Sequence, residues 1–287
     1  MSTSLQMLIS AQSLMEILGK EHTRILDCRY VLSDLGAGIA SYRQGHIPGS
    51  IYLDLAEDLS SPITARTGRH PLPAVDQFAE TIGKWGVADD SMVIAYDNGP
   101  GAMAARCWWL LRWFGHKSVY VLDGGLDAWI DSGGVLVDGA ETYPTAEFNG
   151  RPQQNRCTDA DMLMRAVDDP GQLIIDAREN KRFLGLEEPI DRIAGHIPSA
   201  INRPFQRNLT GGYFKSAKIL RQEFIDLIGS TSPNQVVHSC GSGVTACHNL
   251  LAMEVAGLHG SRLYAGSWSE WITDPTRPII SPVSRER

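Results

Sequence analysis

Short apolar runs alternate along the chain with longer stretches in which apolar residues recur at helical spacing. Residues 25–26 (Ile-Leu), 92–96 (MVIAY) and 118–122 (SVYVL) are brief, β-branched or aromatic, and bounded by polar residues or glycine. That pattern predicts buried strands. Between the last two, residues 102–113 are rich in Ala, Leu and Trp and are predicted to form a helix. The second half follows the same plan, with strands predicted over 173–175, 235–239 and 261–264 and a helix over 244–256. Strand, helix, strand in repetition predicts an α/β fold, with a parallel sheet covered by helices in each half.

The likeness of the halves extends to their residues. Gly45-His46-Ile47-Pro48-Gly49-Ser50 answers to Gly195-His196-Ile197-Pro198-Ser199-Ala200, and Ile25-Leu26-Asp27-Cys28-Arg29 to Ile174-Ile175-Asp176-Ala177-Arg178. Val93 to Asp97 then matches Val236 to Cys240, and Asp123-Gly124-Gly125-Leu126-Asp127-Ala128-Trp129 matches Ala265-Gly266-Ser267-Trp268-Ser269-Glu270-Trp271. Four pairs in one order, at nearly constant separation, mean one module copied with small loop changes. The stretch from Gly133 to Cys157 has little periodicity and carries Pro144 and Pro152. The predicted organisation is a domain over 1–135, a linker over 136–158 and a second domain over 159–287.

Composition narrows the class. The 287 residues are 43% apolar and 21% charged, enough for sizeable cores and unlike a disordered chain. A net charge of −7 argues against a general nucleic-acid binder, while leaving room for a local anion pocket. The opening residues lack the basic stretch and apolar run of a signal peptide, and no apolar run reaches the ~18 residues of a membrane span, so a soluble cytoplasmic protein is expected. Five scattered cysteines without a CxxC pair argue against a disulfide framework or structural zinc, and no cofactor or metal is called for.

In an open parallel sheet, ligands bind where a strand's carboxyl end leads into a helix N-terminus. In the second copy that position holds Cys240, followed by Gly241-Ser242-Gly243-Val244-Thr245; in the first copy it holds Asp97. A short glycine-bearing loop there turns backbone N–H groups inward and adds the helix dipole, so a sulfur anion at its centre is stabilised. The same amides would stabilise charge on a second sulfur attached to the first, which describes a nucleophile able to carry a persulfide. His46 and His196 recur in both copies, including the one without a thiol, and therefore read as fold residues. Arg29 and Arg178, in the repeated Asp-x-Arg, read as structural ion pairs. Cys28, Cys107 and Cys247 read as packing, and the cluster Trp108, Trp109, Trp113 and Phe114 as a buried helix.

The cysteine loop, the twin Gly-His-Ile-Pro segments and Asp123-Gly124-Gly125 with Trp129 resemble the two-domain rhodanese family. The six-residue loop is closer to that family's 3-mercaptopyruvate sulfurtransferase branch than to its thiosulfate branch. The resemblance implies tandem rhodanese-like domains, an inactive first domain, and a persulfide formed on Cys240 in the second. The donor would be 3-mercaptopyruvate and the acceptor a thiol or cyanide, with thioredoxin among the candidates. Gly241, Gly243, Val244 and Thr245 would line the substrate, Arg182 would hold its carboxylate, and Ser242 with His70 would serve proton transfer. Of the two acidic residues that accompany this His in the family, one is present as Asp54 and the second position carries Ala56. A second anion-binding Arg is expected some nine residues beyond the first, where this chain has Asp191, leaving Arg192 as the neighbouring substitute. No cation follows Cys240 in the loop, which suits a monoanionic keto acid better than the thiosulfate dianion. Rival readings are thiosulfate transfer, a phosphatase, which would need an Arg where Ala246 stands, and a non-enzymatic persulfide or redox sensor.

Overall fold

The computed structural model describes residues 7–167, 169 and 171–282, so the extreme N-terminus on which the signal-peptide reading rests lies mostly outside the described residues. The chain divides into two compact units, and neither is continuous in sequence. The first comprises the chain up to Ser61, Leu72–Gln153 and Thr210–Phe214; the second comprises Pro62–Pro71, Gln154–Leu209 and the chain from Lys215.

In the first unit, β1 (Leu8–Ile9), β2 (Thr23–Asp27), β3 (Ser50–Tyr52), β4 (Met92–Tyr96) and β5 (Val119–Leu122) form one parallel sheet in the order β1-β5-β4-β2-β3. The helices are α1 (Ala11–Ile17), α2 (Ala37–Gln44), α3 (Val75–Lys84), α4 (Ala102–Trp113) and α5 (Gly125–Asp131). The second unit repeats the arrangement. Its parallel sheet runs β6-β12-β11-β7-β8, from β6 (Cys157–Thr158), β7 (Leu173–Asp176), β8 (Ile201–Asn202), β11 (Val236–Ser239) and β12 (Arg262–Tyr264). Short strands β9 (Leu209–Thr210) and β10 (Tyr213–Phe214) pair with each other. The helices are α6 (Ala160–Ala166), α7 (Asn180–Phe183), α8 (Ala217–Ile228), α9 (Thr245–Val255) and α10 (Ser267–Trp271). The apolar runs of the sequence lie on the central strands, while the two-residue edge strands were too short to show a period.

The copies bury matching residues. Ile25, Ile47, Ile94 and Trp129 sit in the first core, and their counterparts Ile174, Ile197, Val237 and Trp271 sit in the second. The strand-end arginines also match: Arg29 Nη2 bonds Asp27 at 2.7 Å and the Gly45 carbonyl at 2.8 Å, and Arg178 Nη2 does the same with Asp176 and Gly195. Both histidines of the repeat serve the backbone. His46 Nδ1 lies 2.8 Å from the Tyr42 carbonyl and His196 Nδ1 lies 2.7 Å from that of Phe183, each ring stacked on the same residue's side chain.

The stretch predicted as a linker behaves differently. Val137 exchanges backbone hydrogen bonds with His46, Ala146 N–H donates to Gly83 and Gln153 N–H to Trp113, so 136–153 is a strap on the first unit. Cys157–Thr158 then forms an edge strand of the second sheet. The strap shows no side-chain period because its attachments are backbone hydrogen bonds and irregularly spaced side chains, among them Tyr143, whose hydroxyl donates to the Gly49 carbonyl at 2.8 Å, and buried Phe148. The segment Pro62–Pro71 departs from the predicted domain boundaries too, since it belongs to the second unit. Arg69 N–H donates to Ser269 Oγ at 3.1 Å, and a β-carbon at Gly68 would lie 2.6 Å from the Gly266 carbonyl oxygen.

His238, on β11, is fully buried, its Nε2 against Met253 sulfur and its Nδ1 without a hydrogen-bond partner. Burial, followed by the charge of Arg203, lowers its pKa to about 3. Below the ordinary value of ~6.5 the unfolded chain therefore binds a proton that the folded one refuses. Stability is expected to fall by up to about 1.4 kcal/mol per pH unit through the window from 6.5 towards 3. Urea unfolding across that window checks this, and His238→Gln should flatten the slope.

Candidate active site

The loop from Cys240 to Val244 joins β11 to α9, and its carbonyls are engaged away from the sulfur. Trp268 N–H donates to the Cys240 carbonyl at 3.0 Å, Ser269 N–H to that of Gly241 at 2.9 Å, and Cys247 Sγ to that of Gly243 at 3.2 Å. With those oxygens committed, the loop can turn amides towards its centre, and Gly243 N–H donates to Cys240 Sγ at 3.1 Å. Gly243 has φ +76°, and a β-carbon there would fall 2.3 Å from the Ala265 carbonyl oxygen, so no larger residue fits this turn. Cys240 is buried, Val244 is buried at the start of α9, and Thr245 is half-buried.

The first copy shows what such a cradle binds. There the strand-to-helix loop carries Asp97, and its carboxylate accepts N–H groups from Gly99 at 3.0 Å, Gly101 at 2.9 Å, Met103 at 2.9 Å and Ala104 at 3.3 Å. Leu126 N–H donates to the Asp97 carbonyl, as Trp268 does to that of Cys240. A fold that turns four amides onto one side chain is an anion holder. In the first unit it is filled by the protein's own carboxylate; in the second the same position holds a thiol.

Of the residues singled out in the sequence, Ser242, His70 and Arg182 lie in the same unit as Cys240, and Asp54 lies in the other. Ser242 Oγ lies 2.8 Å from His70 Nδ1, and both side chains are buried. Asp54 accepts the Tyr52 hydroxyl and the amides of Ala56 and Glu57 in its own unit. Arg182, from α7, bonds Glu188 through Nε and Nη2, at 2.8 Å for the latter, and reaches Asp191 through Nη2 at 3.1 Å. Its guanidinium flanks the loop: a β-carbon at Gly241 would lie 3.6 Å from Nη2 and 3.7 Å from Nη1. Arg192 is not in this cluster, since its Nη2 donates to the Ile272 carbonyl, and it is no substitute for a second anion-binding arginine. Arg69 is in the cluster instead, its Nη1 bonded to Asp191 and its Nη2 2.8 Å from that same β-carbon position. Among the described residues no group of three or more His, Cys, Asp or Glu side chains is arranged to hold a metal ion.

The model of the rhodanese-like domain matches twice, over residues 10–132 and 159–274. The chain belongs to the rhodanese family. This rhodanese is 46% identical to a Pseudomonas aeruginosa protein named "Probable 3-mercaptopyruvate sulfurtransferase", over 96% of its own length and 98% of the relative's. It is 32% identical to the thiosulfate sulfurtransferase of Gallus gallus, over 86% of each chain. The solved structure of a 3-mercaptopyruvate sulfotransferase from Escherichia coli superposes with a TM-score of 0.80 at 32% identity, covering 92% of this chain and all of that one.

Two features of this rhodanese site escaped the reading of its sequence. One is Arg69, adjacent to His70 in a segment scanned only for a proton carrier. The other is Ser267, whose counterpart in the repeat is Gly125. Gly125 has φ +59°, and a β-carbon there would press on the Asp97 carbonyl oxygen at 2.6 Å. Ser267 adopts nearly the same backbone, φ +52°, although it is not glycine, at a cost of about 1 kcal/mol or more. Its buried Oγ accepts the Cys240 N–H at 3.0 Å, donates to the Tyr264 carbonyl at 2.9 Å and lies 3.9 Å from Cys240 Sγ. The signal was present in the repeat alignment, as a serine in the thiol-bearing copy where the other copy has glycine. Cys28 and Cys107 are buried in the first unit, and the hydrogen bond between them, followed by burial, pushes the Cys28 thiol well above its ordinary range. That environment disfavours a thiolate and fits the packing role expected of them. Trp108, Trp109 and Trp113 are buried along α4, with Trp109 and Trp113 stacked at 5.5 Å.

Proposed function

We propose that this protein is a sulfurtransferase that takes sulfur from 3-mercaptopyruvate, carries it as a Cys240 persulfide and passes it to a thiol or cyanide. The observation that carries the reading is Cys240, its sulfur receiving the Gly243 amide, in a strand-to-helix loop whose twin turns four amides onto a carboxylate. In the first half-reaction Cys240 Sγ attacks the donor sulfur. An S–S bond forms as the carbon–sulfur bond breaks, and the electron pair stays on carbon as the pyruvate enolate, which then takes up a proton. Ser242, bonded to His70, is placed to handle that proton. The Gly243 amide stabilises sulfur charge throughout. In the second half-reaction the acceptor attacks the outer sulfur and the Cys240 thiolate leaves. Gly241, Gly243, Val244 and Thr245 form the wall against which the donor lies, and the first compact unit, which does not include His70, takes no direct part in the chemistry. No residue in this scheme requires a cofactor.

Donor choice follows from the loop. Gly241 and Ser242 supply no cation next to Cys240, whereas Arg182 beside Gly241 offers a charge-assisted partner for a carboxylate. Steady-state kinetics should show a higher kcat/KM for 3-mercaptopyruvate than for thiosulfate. Equal or better turnover of thiosulfate overturns the donor assignment. Arg182→Ala is expected to lose one such interaction, worth roughly 1.5–3 kcal/mol, or about 10- to 150-fold in kcat/KM for mercaptopyruvate. Arg192→Ala, whose guanidinium serves the Ile272 carbonyl, should change kcat/KM by less than about twofold.

A further inference from the structure

We propose that Arg69 is the second cation for the donor's carboxylate, and that Asp191 is the residue that positions it. The inference rests on the reading of the donor as an α-keto carboxylate. Where the family resemblance places a cation, this chain has a carboxylate, and that carboxylate bonds a cation from a distant segment. Asp191 Oδ1 accepts from Arg69 Nη1 and Oδ2 from Arg182 Nη2, so one side chain yokes the two guanidinium groups together.

The nitrogens left over face the loop. Arg69 Nη2 and Arg182 Nη1 lie 2.8 and 3.7 Å from the position of a Gly241 β-carbon, and neither donates to any group among the described residues. Arg69 Nε is also buried without a hydrogen-bond partner. Both side chains are part-buried, so these nitrogens remain open to an incoming anion while the rest of each guanidinium is held by carboxylates. Two such donors, one from each arginine, suit the two oxygens of a carboxylate. Glycine at 241 keeps the space between them and the loop open.

The two carboxylates of the cluster differ in role. Glu188 sits below the usual carboxylate range: burial opposes its charge, but hydrogen bonds from Arg182 and the Asp191 amide outweigh that. It is a fixed brace for Arg182, and it also lies 3.5 Å from Arg178. Asp191 sits above the usual range because burial outweighs the pull of Arg69 and Arg182. Its burial at this cost is explained by what it holds in place.

The test compares Arg69→Gln, Arg69→Lys and Asp191→Asn with wild type, each checked for an unchanged melting transition. Arg69→Gln should raise KM for 3-mercaptopyruvate at least tenfold with kcat within twofold, and should weaken inhibition by pyruvate, which carries the same carboxylate, by a similar factor. Arg69→Lys should recover part of the loss. Asp191→Asn should raise KM in the wild-type background and add a smaller factor in Arg69→Gln, where only its contact to Arg182 is left to lose. A KM for Arg69→Gln within twofold of wild type, or a lower KM for Asp191→Asn, overturns the proposal. If wild type fails to turn over mercaptopyruvate, the donor reading fails. Calorimetric titration with pyruvate then still decides Arg69: weaker binding in Arg69→Gln supports its role, and equal or absent binding removes it.

Discussion

Cys240→Ser is expected to abolish sulfur transfer, lowering turnover on the order of 10³-fold or more while the protein folds as wild type. The hydroxyl that replaces the thiol fits the same buried space, still receives the Gly243 amide and leaves the Ser267 contact to the Cys240 backbone intact. Lost is the nucleophile, since an unactivated hydroxyl neither attacks divalent sulfur readily nor leaves from it. Incubating wild type with mercaptopyruvate should add one sulfur, about 32 Da, to the peptide containing Cys240, and the variant should gain no mass there. Full activity in Cys240→Ser would sink the mechanism. A mass gain on Cys247 instead would relocate it to the first turn of α9. A protein that loads sulfur stoichiometrically but never turns over would be a persulfide sensor, and steady-state pyruvate release separates that outcome from an enzyme.

The second large effect concerns stability. Asp97→Ala should destabilise the protein by about 3–5 kcal/mol, read as an earlier urea or thermal transition. Four amides converge on the Asp97 carboxylate in the first unit, and truncation leaves them without their acceptor in a site where the side chain was only 4% exposed. Each orphaned buried donor costs roughly 1–3 kcal/mol, and water entering the vacated space recovers some of it. Asp97→Asn keeps one acceptor oxygen and should cost about half as much. A change below about 1 kcal/mol for the alanine variant would mean that the loop rearranges and the carboxylate does not hold it.

Both predictions come from one feature, a duplicated cradle that holds a carboxylate in one copy and a thiol in the other. The sequence by itself determined the duplication and the place of Cys240 opposite Asp97, while the four amides on the Asp97 carboxylate came from the fold. The central strands were legible because short β-branched runs have a local period, α4 and α9 because apolar residues recur at helical spacing, and the duplication because four motifs keep one order. Cys240 stood out through its place at a strand end, and the recurrence of His46 and His196 in the copy lacking the thiol marked them as fold residues. These are properties of neighbouring residues, and a linear pattern can carry them.

Tertiary structure alone decided which side chains from distant segments meet. The strap over 136–153 looks like a linker because it is held by backbone hydrogen bonds and by scattered side chains such as Glu141, Tyr143 and Phe148, which follow no period. The loop from Pro62 to Pro71 joins the second unit, bringing His70 to Ser242 and Arg69 to Asp191, across separations that no periodicity encodes. The ion cluster beside Gly241 draws its side chains from Arg69, Arg182, Glu188 and Asp191, and the charges of its two carboxylates depend on burial as well as on their partners. Asp191 read as a missing cation in the sequence. In the fold it is the group that holds one.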